Sequence, residues 1–419
     1  MRRNLLTAAV MFIGAFSSCQ KEQNKPGDAV VQALTSKHVE GAPVTIAQVS
    51  PSSGIVYSAV KITGTNFSPV ATENTVKVNG VTAIINSATS TEIVATVPVS
   101  ATGKITVTTG SSTATSASDF KVLRLVKEAT LATPHQILGF AFDKTGNGAV
   151  YAEDGKNVYK ITPDGNSAII YTVPPGYLEP IVNDQPYYFD YSIDAITTSG
   201  NGSVYAAVRH NLFSDGDNIP HPSGGSLVKI LGLHSPFLTG GNVDTISFYE
   251  ISGAEIVDAA NSLYLMDQNI LKKVTASGII STLYTPVNGN NGTATHLTSY
   301  NTGDVFFNDL HVIKKLDTQG NITDFAGNND IHRVGNIDGQ SSQASIFYPL
   351  SIETDGANNI FILDENQNYN GLPLIRIVNT AGYVSTYPLV QNITQIGIDK
   401  STGKIYAADA HSVTRYSFK

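Results

Sequence analysis

The sequence predicts an all-β chain. Short runs rich in Val, Ile, Thr and Tyr are broken every few residues by Gly, Asn and Asp turns, which is the pattern of strands joined by tight connections. Beyond the N-terminus no long stretch places apolar residues at helical spacing. With 419 residues the chain has room for two or three domains, each able to bury a core. Charged residues are 14% of the chain and the net charge is −8, so there is no basic footprint for nucleic acid.

The N-terminus explains the single cysteine. "MRRNLLTAAVMFIGAFSSC" has two Arg, an apolar stretch and small residues before Cys19, the layout of a secretory signal. The "FSSC" ending resembles a lipoprotein signal, with Phe16 standing where Leu is commoner. That resemblance implies a signal peptide over residues 1–19 and lipidation of Cys19. A lone Cys permits no disulfide within the chain. Residues 20–42 begin "QKEQNKPGDAVVQ", which is polar and turn-rich and reads as a flexible tether. Its Lys21-Glu22 start resembles the charged signals that send some lipoproteins to the outer surface of Gram-negative cells, so an outer-membrane or cell-surface location is expected. No later segment has about 18 consecutive apolar residues, the length a spanning helix needs.

Residues 43–122 read as about seven short strands, which suits an Ig-like β-sandwich. Val76 and Val78 alternate with polar neighbours, and Asn79-Gly80 is a strong hairpin signal. Pro51 and Gly54, then "ITGTNF" at 62–67, "VKVNG" at 76–80, "ATVP" at 95–98 and the closing "FKV" at 120–122 resemble the IPT/TIG family. The resemblance implies that Gly64 and Asn66 turn the end of a strand and that Phe67 packs inward. It also implies a spacer or a binding module, and none of these residues carries chemistry.

Residues 123–419 repeat. Each unit has an apolar strand, a tight turn, a strand centred on an aromatic residue, a strand such as "VYKI" or "LIRI", then a "PDG"- or "NTAG"-like turn and a last strand. The aromatic anchors are Tyr151, Tyr205, Tyr264, Phe306, Phe361 and Tyr406. Six units of four strands predict a six-bladed β-propeller. The last unit ends at "TRYSFK" without a fourth strand, and residues 124–133 are placed to supply it, pairing an otherwise open edge. The segment "DGQSSQASIFYPLSI" (338–352), with "LIRIV" downstream, resembles the joint of NHL-repeat propellers. On that resemblance Asp338 and Gly339 shape a turn, Ala344 and Phe347 wedge between blades, and Pro349 starts an inner strand. The chain is thus expected to be an Ig-like β-sandwich followed by an NHL-like six-bladed β-propeller.

In a four-stranded antiparallel unit the connections after strands two and four leave from the same end. The turns after strands one and three are tight here, whereas residues 174–192, 209–225, 239–253, 286–295, 328–349 and 366–371 read as long loops crowding one face. Long loops on a rigid scaffold are where recognition sits. Candidate ligand-binding residues on them are Tyr177, Tyr187, Tyr188, Tyr191, Arg209, His221, Asp330, His332, Arg333 and Tyr369. Aromatic faces beside Asn, Asp and Arg suit sugars, whose C–H faces stack while their hydroxyls need donors and acceptors. Tyrosines that only pack the loops together would look the same, and Trp is absent.

Asp215 and Asp217 in "SDGDN" alternate oxygen ligands and form a candidate Ca²⁺ site that lacks the rest of an EF-hand loop. Otherwise no cofactor is expected. The nine His recur at no shared position of the repeat, as a metal ring on the axis would require. No G-x-S-x-G elbow, P-loop or HExxH motif occurs, and no catalytic residue is assigned. The leading expectation is a lipid-anchored envelope protein presenting the loop-rich face to a glycan or an envelope protein. That architecture resembles surface proteins that capture glycans for uptake. The alternatives are a propeller lyase or hydrolase acting on polysaccharide or lactone, and an adhesion module.

Overall fold

A computed structural model gives the fold. It describes residues 43–419 apart from 133–135, 144–146, 174, 176, 183–184, 199–203, 215–219, 232–250, 257–261, 268, 276–278, 287–295, 301, 329, 331–334, 368–370 and 390. At 132, 177–182, 185–190, 209–214, 220–231 and 251–256 the description is of the backbone alone. The expected signal peptide, Cys19 and tether lie outside the described residues. No helix among those described is long and apolar enough to cross a membrane.

The N-terminal part is a sandwich of two sheets. One orders Thr45–Ser50, Ala59–Thr65, Glu92–Thr96 and Ile84–Ala88. The other orders Ser53–Gly54, Ser112–Val122, Gly103–Thr109, Asn74–Val78 and Val81–Thr82. Nine strands thus appear where about seven were expected, because two of them are only two residues long. Alternate residues point inward, and Val60, Ile62, Phe67, Val76, Val78, Ile105 and Phe120 form the core. Asn79 and Gly80 both take positive φ (46° and 82°) and leave Val78 opposite Val81, a two-residue hairpin turn. Gly64 lies so close to Thr45 that a Cβ there would sit 1.9 Å from the Thr45 carbonyl oxygen, which explains the glycine in "ITGTNF".

Residues 123–419 form six antiparallel sheets among the described residues. Sheet one holds Gly139–Phe142, Val150–Glu153, Asn157–Ile161 and Ser167–Thr172, and sheet two Tyr177–Val182, Gln185–Thr198, Val204–Ser214 and Pro220–Leu231. Sheet three holds Ile251–Ile256, Leu263–Asp267, Ile270–Val274 and Ile280–Tyr284, and sheet four Leu297–Ser299, Val305–Asp309, Val312–Leu316 and Ile322–Gly327. Sheet five holds Pro349–Thr354, Ile360–Asp364, Leu374–Val378 and Tyr383–Pro388, with Gly339–Gln340 added outside. In sheet six Gln395–Asp399, Lys404–Ala408 and Ser412–Phe418 are completed by Leu125–Ala132, so the segment before the first unit supplies the strand the last unit lacks. The inner strands neighbour one another in a closed cycle, one to two and onward through six back to one. That arrangement is a β-propeller.

Apolar faces fill the seams between sheets. Phe140, Phe142, Tyr406 and Val413 close the seam of six with one, and Phe306, Ile346, Ile352 and Val384 that of four with five. Among the aromatic anchors Tyr264 is half-buried and the other five are buried. Tight turns are built by side-chain carboxylates that hold the main chain. Asp317 accepts from the N–H groups of Gln319 (2.9 Å) and Asn321 (2.8 Å), and Asp355 from Ala357 (2.9 Å) and Asn359 (2.8 Å).

At the joint, Ala344 and Ile346 are fully buried while Phe347 is only half-buried. The wedge is therefore Ala344 with Ile346, in place of the expected Ala344 with Phe347. Asp338 accepts from the Thr386 hydroxyl (2.6 Å) and main-chain N–H (3.1 Å) and from Arg376 Nη2 (3.3 Å), tying the joint to sheet five. Pro349 begins the inner strand there.

Candidate loop-face site

Sheet strands alternate in direction, so in sheets one, three, four, five and six the second hairpin and the connection to the next sheet open at one end of the ring. Not all of these are long. In sheets one, three, four and six the second hairpin spans only 154–156, 268–269, 310–311 and 409–411. Residues 174–192 and 209–225, expected as loops, are largely strand. The inner and second strands of sheet two run on beyond the ring as Gln185–Thr198 and Val204–Ser214, flanked by Tyr177–Val182 and Pro220–Leu231.

The extension sorts the candidate residues by register. Tyr187 lies opposite Glu179 and Ser214, Phe189 opposite Tyr177 and Leu212, and Leu212 opposite His221. Directly opposed residues share a face and successive ones alternate. Positions 177, 187, 189, 191 and 221 therefore fall on one face. Tyr188, opposite Leu178 and Phe213, falls on the other, as does Arg209, opposite Ser192 and Gly225. Tyr191 is half-buried against the seam of sheets one and two, and its carbonyl accepts from Lys156 Nζ, so it serves packing. Asp330 is exposed on the connection between sheets four and five, its N–H on Asn328 Oδ1 at 3.2 Å. His332, Arg333, Tyr369, Asp215 and Asp217 lie outside the described residues. No cluster of three metal-binding side chains occurs among the described residues.

On the axis is a cavity of about 150 Å³ whose lining includes Asp194, His296, Ser351, Glu353, Gln395 and Lys400. Several polar groups here bind the ring together. Gln395 accepts from Phe140 N–H (2.8 Å) and donates to its carbonyl (3.0 Å), and Ser351 accepts from Ile396 N–H (3.3 Å). Thr354 donates to the Ser299 carbonyl at 2.6 Å, as does Lys400 Nζ at 3.1 Å. Their chemistry is spent on neighbouring sheets.

At the loop-face end are groups that sequence reasoning did not assign to a site. Glu153 is buried, with Oε2 accepting from Gly155 N–H at 2.6 Å. A Cβ on the facing Gly139 would come within 2.8 Å of its other oxygen, so that glycine makes room for the carboxyl. Burial pushes Glu153 up to about 7, with the nearby charges of Asp154 and Asp194 adding to it and the Gly155 N–H opposing. Asp194 is the extra residue of a β-bulge between Ile193 and Ala195, where sheet two leaves the ring. His296 is half-buried, and burial lowers its imidazole to about 4. The legible signals were a charged residue inside the apolar "YSIDAITT" and an acid ending an aromatic strand before a glycine.

The IPT/TIG domain model matches residues 43–122. No curated protein matches the chain. Among solved structures, an auxiliary nutrient binding protein from Bacteroides ovatus ATCC 8483 is similar at TM-score 0.48 and 13% identity, covering 92% of this chain and 100% of that one. Another auxiliary nutrient binding protein, from Bacteroides thetaiotaomicron VPI-5482, is similar at TM-score 0.45 and 12% identity, covering 91% and 99%. A gluconolactonase from Xanthomonas campestris is similar at TM-score 0.44 and 9% identity, covering 71% and 90%.

Proposed function

We propose that the chain is a cell-envelope binding protein, lipid-anchored at Cys19 on the surface of a Gram-negative bacterium. In this reading residues 20–42 are a tether, 43–122 an IPT/TIG stand, and 123–419 an NHL-like propeller whose six sheets are six blades. The ligand is a glycan taken at the loop face. The observation that carries the reading is the sheet-two extension, whose register gives Tyr177, Tyr187, Phe189 and His221 one common face. Flat aromatic groups with polar neighbours suit the C–H faces and hydroxyls of a sugar. Polysaccharide pull-down with residues 43–419 tests the binding, and no retention of any glycan would defeat it. Membrane partition of a Cys19→Ala variant tests the anchor, and unchanged partition would defeat that.

Glu153 favours a second reading. A carboxyl that burial pushes up to about 7, with Asp194 near it, suits general acid or base work in a polysaccharide or lactone lyase or hydrolase. Turnover of a retained glycan that Glu153→Gln abolishes without loss of binding would establish it, and retention without turnover would set it aside.

A further inference from the structure

The sandwich touches the propeller at two adjacent sheets. On sheet five, Val56 N–H donates to the Tyr387 hydroxyl at 3.0 Å and Asn379 Nδ2 donates to the Tyr57 carbonyl. Tyr57 stacks on Tyr383, ring centroids 5.5 Å apart and planes 21° apart, and Ile55 packs on the core shared by sheets five and six. Tyr57 holds φ +63°, a conformation uncommon for a bulky residue that persists where its surroundings fix it. On sheet six, the last sandwich strand passes through Leu123, whose N–H donates to the Gly54 carbonyl at 2.9 Å. Arg124 and Lys419 then exchange two main-chain bonds of 2.9 Å, and Leu125 pairs with Phe418. Phe418 in turn meets Tyr387 edge-on at 5.1 Å.

The geometry points to a clasp: the IPT/TIG domain locks the joint that closes the propeller ring, by gripping sheet five through residues 55–57 and the closing strand through residues 123–124. Ring closure rests on the pairing of Leu125–Ala132 with Ser412–Phe418. Every other junction is covalent, so this ladder is where the ring can open. One end of it runs directly into the contacts that hold the sandwich. The fullest form of the inter-sheet joint falls at the sheet that carries the sandwich. There Gly339–Gln340 pairs with Val384 and Tyr383, and the charge of Asp338 lies near enough to Tyr57 to add to the upward shift that burial gives its hydroxyl. A clasp of this kind makes the first domain part of the propeller's stability, beyond holding it at a distance.

Hydrogen exchange on the full chain tests the clasp. Tyr387→Phe removes the acceptor of Val56 N–H at nearly constant shape, and Asn379→Asp removes the donor to Tyr57 while keeping a turn-forming oxygen. Tyr57→Ala removes the stacked ring, and the two milder variants keep the test readable should it fail to fold. The amides of 125–132 and 412–418 should exchange about tenfold faster in the variants, because local opening there loses its barrier. Those of Val305–Asp309 and Val312–Leu316 in sheet four should be unchanged. Unaltered exchange at the closing strands, an increase confined to sheet five, or an even increase over all sheets would overturn the proposal.

Discussion

Arg376 and Asp364 form an ion pair, Nη1 to Oδ2 at 3.0 Å, in which neither side chain is exposed. Asp364 also accepts from the N–H groups of Phe347 (3.1 Å) and Tyr348 (2.8 Å) and from Asn336 Nδ2 (2.8 Å). Arg376 donates to the carbonyls of Ser345 (3.1 Å) and Ile337 (3.0 Å). The pair thus fastens an irregular joint, which has few ladder bonds of its own, to the regular strands of sheet five. Burial raises Asp364 and the guanidinium opposes that shift. Arg376→Ala leaves a buried carboxyl without its partner, a loss of about 3–5 kcal/mol. Urea denaturation of the variant should show this loss, and a change under about 1 kcal/mol would mean that the joint can rearrange around the vacancy.

Glu128 on the closing strand receives the Ser417 hydroxyl at 2.7 Å, Lys419 Nζ at 2.9 Å and Arg415 Nε at 3.1 Å. The hydrogen bonds from Ser417 and Lys419 lower its carboxyl from the ordinary 4.5 to about 2. A lowered carboxylate contributes stability that is complete above its unfolded value and is lost as pH falls through its folded value. Ring closure should therefore loosen from about pH 4.5 down to about pH 2. Exchange of the 412–418 amides in Glu128→Gln should lack this acid step, and an identical acid profile in both proteins would assign it elsewhere.

The parts legible in the sequence are those written by local chemistry. Asn79-Gly80 specifies its hairpin because both residues accept positive φ, and Asp317 and Asp355 announce turns because their carboxylates reach N–H groups two and four residues on. The closing strand was legible because the last unit was one strand short. The sheet-two extension was not. Its Pro220, Pro222 and neighbouring Gly and Asp read as a loop, yet Pro220–Leu231 is the outermost strand of sheet two among the described residues, a position in which proline is tolerated. Glu153 and Asp194 could not be paired in advance, because they sit on different sheets and meet only when the seam forms. Ile346 and Phe347 are equally apolar neighbours, so only the path of the joint decides which is buried.

Glu153 gives the opposite pH dependence. Its folded value is raised from 4.5 to about 7, chiefly by burial, so its contribution is complete below the unfolded value and is lost as pH rises through about 7. A shift of this size corresponds to a loss on the order of 3 kcal/mol at alkaline pH. Glu153→Gln, which cannot ionise, should match the native protein near pH 4 and exceed it above about pH 7. Thermal unfolding across that range is the measurement. Parallel curves for the two proteins would show that the carboxyl is not held in its neutral form.

The register of the sheet-two extension makes the glycan reading sharper than composition alone allows. Tyr187 and Tyr188 are adjacent in sequence, so the pleat gives them opposite faces, and Tyr187 shares its face with Tyr177, which lies opposite Phe189. An extended sugar chain laid along one face of the sheet would stack on alternate positions. Tyr177→Ala and Tyr187→Ala should each weaken glycan retention by about tenfold or more, as truncating an aromatic anchor does. Tyr188→Ala should leave retention nearly unchanged, and all three variants should unfold at similar temperatures if the extension stays paired. Affinity electrophoresis in a polysaccharide gel reads the difference directly. Equal losses at 187 and 188 would mean that the ligand is held across an edge or between both faces. No loss at 177 or 187 would move the site off the extension and onto the axial mouth, where Asp194 and His296 line the cavity.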